Sequence, residues 1–340
     1  ARLAARGAPR TGRAAVVAIA ALALLGGALG ATAAVEAPLD RHASHADKYE
    51  TAYEPIESAE FDDDLVFVPT PYGEWLNHPF QVLRNDPGLD GEVVYALDRD
   101  PVGDFAVIDA YPDRELHRYA YQGEWTPDPT QRVAPTLEPL DVRGGARVDA
   151  TTTVGVPERV ESARVRVETA RGGNATGVDD AAGVDDATGV DDATGVDDAE
   201  TASGDDFARY VVTDPADSLA VDWSIAPDGV RLAGVPNATV PIDPEGDEVI
   251  VTVTLVDPSG STFTYRQEAT VRVAGGGVEG GGAEGDSVEG GGVEVVWPPG
   301  RSVCRLVTEC GTEGTYLPEN PDAHAEWVAF ETDADGVEDR

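Results

Sequence analysis

The apolar positions fall into distinct regimes along the chain. First comes an uninterrupted apolar run, AAVVAIAALALLGGALGATAAV from Ala14 to Val35, preceded by Arg2, Arg6, Arg10 and Arg13 and followed at once by Glu36. At about 1.5 Å per residue this run is roughly 33 Å long, enough for a hydrocarbon core of about 30 Å. It predicts a transmembrane helix, residues 14-35. The arginines before it place residues 1-13 in the cytoplasm by the positive-inside rule and everything after Glu36 outside. A cleaved signal peptide is the rival reading, since Ala31, Thr32 and Ala33 fit an A-x-A site, although the run exceeds the roughly 7 to 15 residues of an h-region. Both readings export the remainder.

Residues 36-60 are polar with scattered Ala and Tyr and no sustained period, which predicts a stalk with a helical turn or two. The next regime is mixed. LVFVPT (Leu65 to Thr70) and EVVYALD (Glu92 to Asp98) are short β-branched and aromatic runs closed by turn formers, as buried strands are. Between them Trp75, Leu76, Phe80 and Leu83 recur at near-helical spacing, broken by Pro79. Phe105, Ile108 and Tyr111 mark a second helix stopped by Pro112, with another strand as the alternative, and LHRYAYQGEW reads as a third strand. Strand, helix, strand, helix, strand predicts a small α/β module over 61-130 with parallel pairing and right-handed crossovers.

From about Val142 the pattern becomes strict alternation. ARVDATTTVGVP, ARVRVETA, ARYVVT, LAVDWSIA, GVRLAG, EVIVTVTLVDP and STFTYRQEATVRVAG are separated by Gly, Pro, Asp and Asn, which predicts an antiparallel β-sandwich over 142-340. The clearest hairpin joins Glu248–Pro258 to Ser261–Ala274. Two insertions interrupt it, at 172-205 and 275-292. The first contains a six-residue repeat, GVDDAA and its variants, from Gly177 to Glu200, and the second is glycine-rich and acidic. Neither buries enough apolar surface to offset its ordering entropy, so both are expected to be disordered. The fold class is thus α+β: a transmembrane helix, a small α/β module, then a mainly antiparallel sandwich.

Composition changes the picture of partners. With 64 acidic against 24 basic residues the formal charge is -40, and Lys48 is the sole lysine. Nucleic acid is excluded, because its affinity for proteins comes from cations neutralising phosphates. A carboxylate surface spread over the whole chain suits molar salt, which screens its self-repulsion, and so reports a salt-loving archaeal habitat. The sequence contains no methionine. Either an initiator has been trimmed, or the chain begins inside a longer protein and residues 14-35 are the last of several membrane helices.

Against this background, VPTPYGEWLNHPF, VVYALDRD and YPDRELHRYAY resemble the soluble module that follows the last membrane helix in haloarchaeal multi-spanning glycosyltransferases of the family 39 type, relatives of the dolichyl-phosphate-mannose protein mannosyltransferases. The resemblance covers about residues 14-125. It implies a parent enzyme that takes a sugar from a lipid-phosphate donor outside the cell, with its catalytic acid on a loop between membrane helices. No such loop occurs here, so no catalytic residue carries over. Trp75, Asn77, His78, Pro79, Tyr95, Asp98, Tyr111, Pro112, Arg114 and Tyr119 are the motif residues of an accessory module. The lipid-linked sugar or a glycan is the implied ligand, and upstream membrane helices of the same protein the implied partner.

The residues themselves offer limited chemistry. His78 and His117 with Asp98 supply the types of a general base and its orienter, but no nucleophile accompanies them, and NHP is equally a turn. Tyr95, Tyr111, Tyr119, Tyr121, Trp75 and Trp125 suit sugar stacking or, preferably, a sheet core. Asn174 and Asn237 begin NAT, an N-glycosylation pattern. Cys304 and Cys310 are the only cysteines. Their pairing requires a bend, since a straight strand would hold their Cα atoms about 20 Å apart. With His324 they make three ligands where structural zinc wants four, and the Asp pairs of the repeat lack the fixed frame calcium needs. No metal and no cofactor are expected. Hydrolase motifs such as G-x-S-x-G and H-E-x-x-H are missing. Two functions remain: the extracellular accessory region of a membrane glycosyltransferase, or a membrane-anchored, non-enzymatic envelope or carbohydrate-binding protein.

Overall fold

The computed structural model describes the chain except residues 1–9, 71–79, 81–82, 124, 126–127, 129, 171–201, 204–206, 276–290, 306–313, 321–322, 336–337 and 340. It opens with α1 (Arg10–Ser58), a helix of 49 residues. The expected stalk is therefore helical up to Ser58. The alanine-rich sequence has high helix propensity without an amphipathic period, and Pro38 and Pro55 lie inside the helix. What orders its last turns is packing: Ile56 joins an aromatic cluster on the following sheet, and Ala52 is fully buried. Among the described residues no helix is long and apolar enough to cross a membrane. The run Ala14–Val35 lies within α1, with side chains described only at residues 17–23, all of them exposed.

Three parallel strands follow: β1 (Asp64–Pro69), β2 (Val93–Asp98) and, after α2 (Pro101–Ala110), β3 (Glu115–Gly123), in the order β2-β1-β3. Alternation divides their side chains between two faces. Val66, Val68, Tyr119 and Tyr121 face α1, while Leu65, Phe67, Val94 and Leu116 face Phe105 and Ile108 of α2. The helix α2 is capped by Asp100, whose carboxylate accepts the Gly103 N–H at 2.8 Å, with Pro101 at its first position. The predicted helix, not the strand alternative, holds, and it ends at Ala110 with Tyr111 as its C-cap. Of the first predicted helix, Trp75, Leu76, Asn77, His78 and Pro79 lie outside the described residues, while Phe80 and Leu83 pack in the cluster facing α1.

β4 (Val133–Gly145) was not anticipated as one strand. Its first part pairs antiparallel with β3, Leu116 opposite Leu140 and Gly123 opposite Val133, and its last residues pair with β13 (Val293–Trp297). One strand thus belongs to both the α/β module and the sandwich. Pro135 and Pro139 are four residues apart, so their missing N–H groups face one edge, tolerable where pairing is one-sided.

The remaining strands are β5 (Val148–Gly155), β6 (Ser162–Thr169), β7 (Ala202–Ser203), β8 (Phe207–Thr213), β9 (Ser218–Ala226), β10 (Gly229–Leu232), β11 (Asp247–Val256), β12 (Thr262–Val273), β14 (Gly300–Cys304), β15 (Phe330–Asp335) and β16 (Glu338–Asp339). A 12-stranded sheet runs β2-β1-β3-β4-β13-β12-β11-β6-β8-β7, with β14 and β16 attached beside it, and a 4-stranded sheet runs β10-β9-β5-β15. Their facing sides share one core, including Val165, Val251, Tyr265, Val148, Trp223, Ile225 and Phe330. This is the expected sandwich. The hairpin of β11 and β12 turns through Asp257–Gly260, where Gly260 takes φ +82. The repeat and the glycine-rich segment fall almost entirely outside the described residues, although β7 lies within the first insertion.

The module also lies against the sandwich through α2. On the outer face of the large sheet, Arg272 of β12 grips Asp109 of α2 with two bonds of 2.6 and 2.8 Å, bonds Glu294 at 2.6 Å and covers the Phe105 ring at 4.4 Å. Gly246, just before β11, approaches the backbone of Pro101 and Val102 so closely that a Cβ there would lie 2.8 Å from the Val102 nitrogen.

Candidate functional site

The two ends of the parallel strands carry the titratable groups. At the starting end, register sets Asp64 opposite Glu115 and Val66 opposite His117. Asp64, Glu115 and His117 therefore leave the same face of the sheet. His117 Nε2 lies 2.6 Å from Asp64 Oδ1, and one ligand atom from each of the three residues falls within 4.8 Å of the others. The Asp62 N–H donates to the other carboxylate oxygen of Asp64 at 2.6 Å, and Phe61 sets its ring edge-to-face against His117. Asp64 is buried, His117 half-buried and Glu115 exposed. A cleft of about 380 Å³ lies on the α2 side of the sheet, the face opposite to these three side chains, lined by Ile108, Tyr111, Arg114, Leu116 and Leu140 among others.

Arg114 braces this end. Its guanidinium donates to the carbonyls of Asp64 and Gly91, both at 2.9 Å, pairs with Asp63 at 3.1 Å and covers the Tyr111 ring at 5.3 Å. It is a clamp between strand starts and the preceding turn, as its side chain is only 7% exposed. Asn85 does a similar task for β2, exchanging two hydrogen bonds with the backbone of Tyr95 at 2.7 and 2.9 Å. Nothing in the sequence distinguished Asn85 from an ordinary turn residue.

At the finishing end, Asp98 closes β2 and Asp104 lies buried on α2. Burial pushes the Asp104 carboxyl up to about 8, helped by the negative charge of Asp98. Glu248 at the start of β11 is also pushed up to about 8, by burial and then by the charge of Glu268, against the opposing pull of Arg266. These acids are packed between module and sandwich, where Arg118 also bridges Glu138 (3.2 Å) and the Pro298 carbonyl. The space beside Asp98 and Asp104 is small, about 20 Å³. The cluster is an interior junction.

The sequence grouping of His117 with Asp98 is not realised. Register sets His117 level with Tyr95, three residues short of Asp98 and with β1 between, so about 10 Å separates them along the strands alone. The partner of His117 is Asp64, which sequence reasoning passed over inside an acidic run. The described part of the aromatic set is core: Tyr119 and Tyr121 are buried, Phe80 meets them at centroid distances of 4.7 and 6.0 Å, and Trp125 meets Tyr121 at 5.0 Å, while Tyr95 and Tyr111 are half-buried. Pro112 lines the cleft. Asn237 is exposed in a turn at φ +63, and Asn174 lies outside the described residues. Cys304 is disulfide-bonded, and the other cysteine of the chain, Cys310, lies outside the described residues. His324 stacks on Tyr316 and lies 3.0 Å from the Gln122 amide nitrogen; burial lowers its pKa. Among the described residues, no Ser, Thr or Cys lines the cleft on the α2 side.

Residues 64–202 and 187–269 match a family described as a domain of unknown function, DUF7846. The match begins at the first residue of β1 and runs through the α/β module into β12, so it treats the shared strand β4 as interior. None of the curated proteins and none of the solved structures gives a significant match.

Proposed function

We propose that this chain, which belongs to the DUF7846 family over more than half its length, is the extracellular accessory region of a membrane glycosyltransferase that uses a lipid-phosphate sugar, and that it carries no chemistry of its own. The observation that supports this most is the continuity of α1. Val17, Ile19 and Leu22 are 67 to 69% exposed, and the same helix ends docked on the aromatic face of the module. An apolar helical run whose described side chains, residues 17–23, are all exposed, leading into a fixed mount, suits a membrane anchor. The link to sugar transfer rests on the resemblance of the VPTPYGEWLNHPF, VVYALDRD and YPDRELHRYAY segments.

Protease added to intact cells tests the topology. Removal of the region after Glu36 is expected; protection until lysis overturns it. Membranes from cells expressing the parent without residues 64–340 then test the accessory part: transfer from a lipid-phosphate sugar should fall without the catalytic membrane helices being lost. Unchanged transfer would exclude that role.

A second reading, an anchored glycan-binding envelope protein, is favoured by a cleft of about 690 Å³ at one end of the sandwich. Phe263 and Trp327, 4.8 Å apart, line it beside Arg159, Asp217 and Asp257. Tryptophan fluorescence shifts on adding envelope glycans, lost in Trp327→Ala, would select this reading over the first.

A further inference from the structure

We propose that Asp64, Glu115 and His117 hold one divalent transition-metal ion of the zinc type, clasping the start of β1 to the start of β3. The three ligand atoms already lie within 4.8 Å of one another, on two hydrogen-bonded strands whose register fixes their side chains to a common face. One imidazole with two carboxylates is a donor set for zinc and its neighbours, whereas magnesium and calcium favour oxygen alone.

Electrostatics favours an ion over a bare Asp64–His117 bond. The Glu115 carboxylate makes no ion pair or hydrogen bond among the described residues, yet a ligand atom of it lies within 4.8 Å of the buried Asp64 carboxylate. Two carboxylates this close repel, and a cation between them removes the cost. Arg114 does not fill that place, since its guanidinium is spent on the carbonyls of Asp64 and Gly91 and on Asp63. The bond from the Asp62 N–H to Asp64 Oδ2 fixes the carboxylate so that Oδ1 points to His117. This is the outer support that oriented metal ligands require.

The fit needs shifts of about an ångström: the pair opens and the Glu115 oxygen, within 4.8 Å, closes in. Ligand atoms at about 2.1 Å from a tetrahedral zinc lie about 3.4 Å from each other, so the 2.6 Å separation of Nε2 and Oδ1 opens by less than an ångström. Glu115 is exposed, so a water can reach the fourth position.

Titration calorimetry of the chelator-stripped full chain with zinc chloride, at constant molar potassium chloride, tests the proposal. One saturable equivalent is expected, weakened at least about tenfold by His117→Gln and by Glu115→Gln. Glu115 is exposed, so Glu115→Gln should melt like the parent without metal and keeps the test decisive if His117→Gln fails to fold. Absence of saturation at one equivalent overturns the proposal. So does zinc binding that Glu115→Gln leaves intact, because a purely structural Asp64–His117 pair or a diffuse acidic surface would not depend on Glu115.

Discussion

Tyr119 donates its phenolic hydrogen to the carbonyl of Ala52 across 2.7 Å, joining β3 to a helix 67 residues earlier in the chain. The ring is fully buried against Phe80, and burial lifts its pKa far above the ordinary phenol value, so it stays a neutral donor. This one contact ties the helix that carries the apolar run to the centre of the module.

Tyr119→Phe keeps the ring and loses the bond. It should lower unfolding free energy by about 1 kcal/mol, and Tyr119→Ala by about 3 to 5 kcal/mol. Urea denaturation in molar salt measures both. Equal effects for the two variants would show that the ring contributes nothing beyond its hydroxyl.

The acids between module and sandwich predict a pH dependence. Asp104 titrates at about 8 in the fold against an ordinary 3.8. Below 3.8 it is protonated in both states, and between 3.8 and 8 only the fold keeps its proton. Stability therefore falls as pH rises through that window and loses nothing further above it. Glu248 acts in the same direction. Asp104→Asn should raise the melting temperature at pH 8 and flatten its fall from pH 5. A steeper fall in the variant than in the parent would refute the assignment.

Arg272 should be the costliest single surface of contact between α2 and the sandwich. Truncation to alanine abandons two bonds to Asp109, one to Glu294 and the Phe105 face, an expected loss of about 2 kcal/mol. A denaturation midpoint indistinguishable from the parent would show that these charges are satisfied equally well by water.

Deleting residues 177–200 should leave the fold unchanged. The insertion connects β6 to β7 and β8, and β6 and β8 are antiparallel neighbours with Glu168 opposite Phe207, so its ends are already held together. Loop shortening then alters stability by only about 1 kcal/mol or less. Loss of a cooperative transition would assign the repeat a structural part.

Elements whose signal is local were legible. Alternation marked β5, β6, β8, β9, β10, β11 and β12, and the spacing of Phe105 and Ile108 before Pro112 marked α2. The helical stalk was hidden because its order comes from Ala52 and Ile56 packing on Tyr119 and its neighbours, contacts distant in sequence. β4 was hidden by Pro135 and Pro139, which argue against a strand unless one edge is unpaired. The Asp64–His117 pair was invisible for a similar reason: Asp64 is one of three successive aspartates, and only parallel register with β3 selects it.

The sharing of β4 has a mechanical consequence. A pull on α1 enters through Tyr119 and the β3–β4 ladder, then passes along the β4 backbone into the β13 ladder without crossing a flexible linker. Extended strand resists tension with little give at about 3.3 Å per residue. The sandwich is thus carried like the head of a stiff spar, its distance from the start of α1 set by the length of a helix and the tilt of a strand.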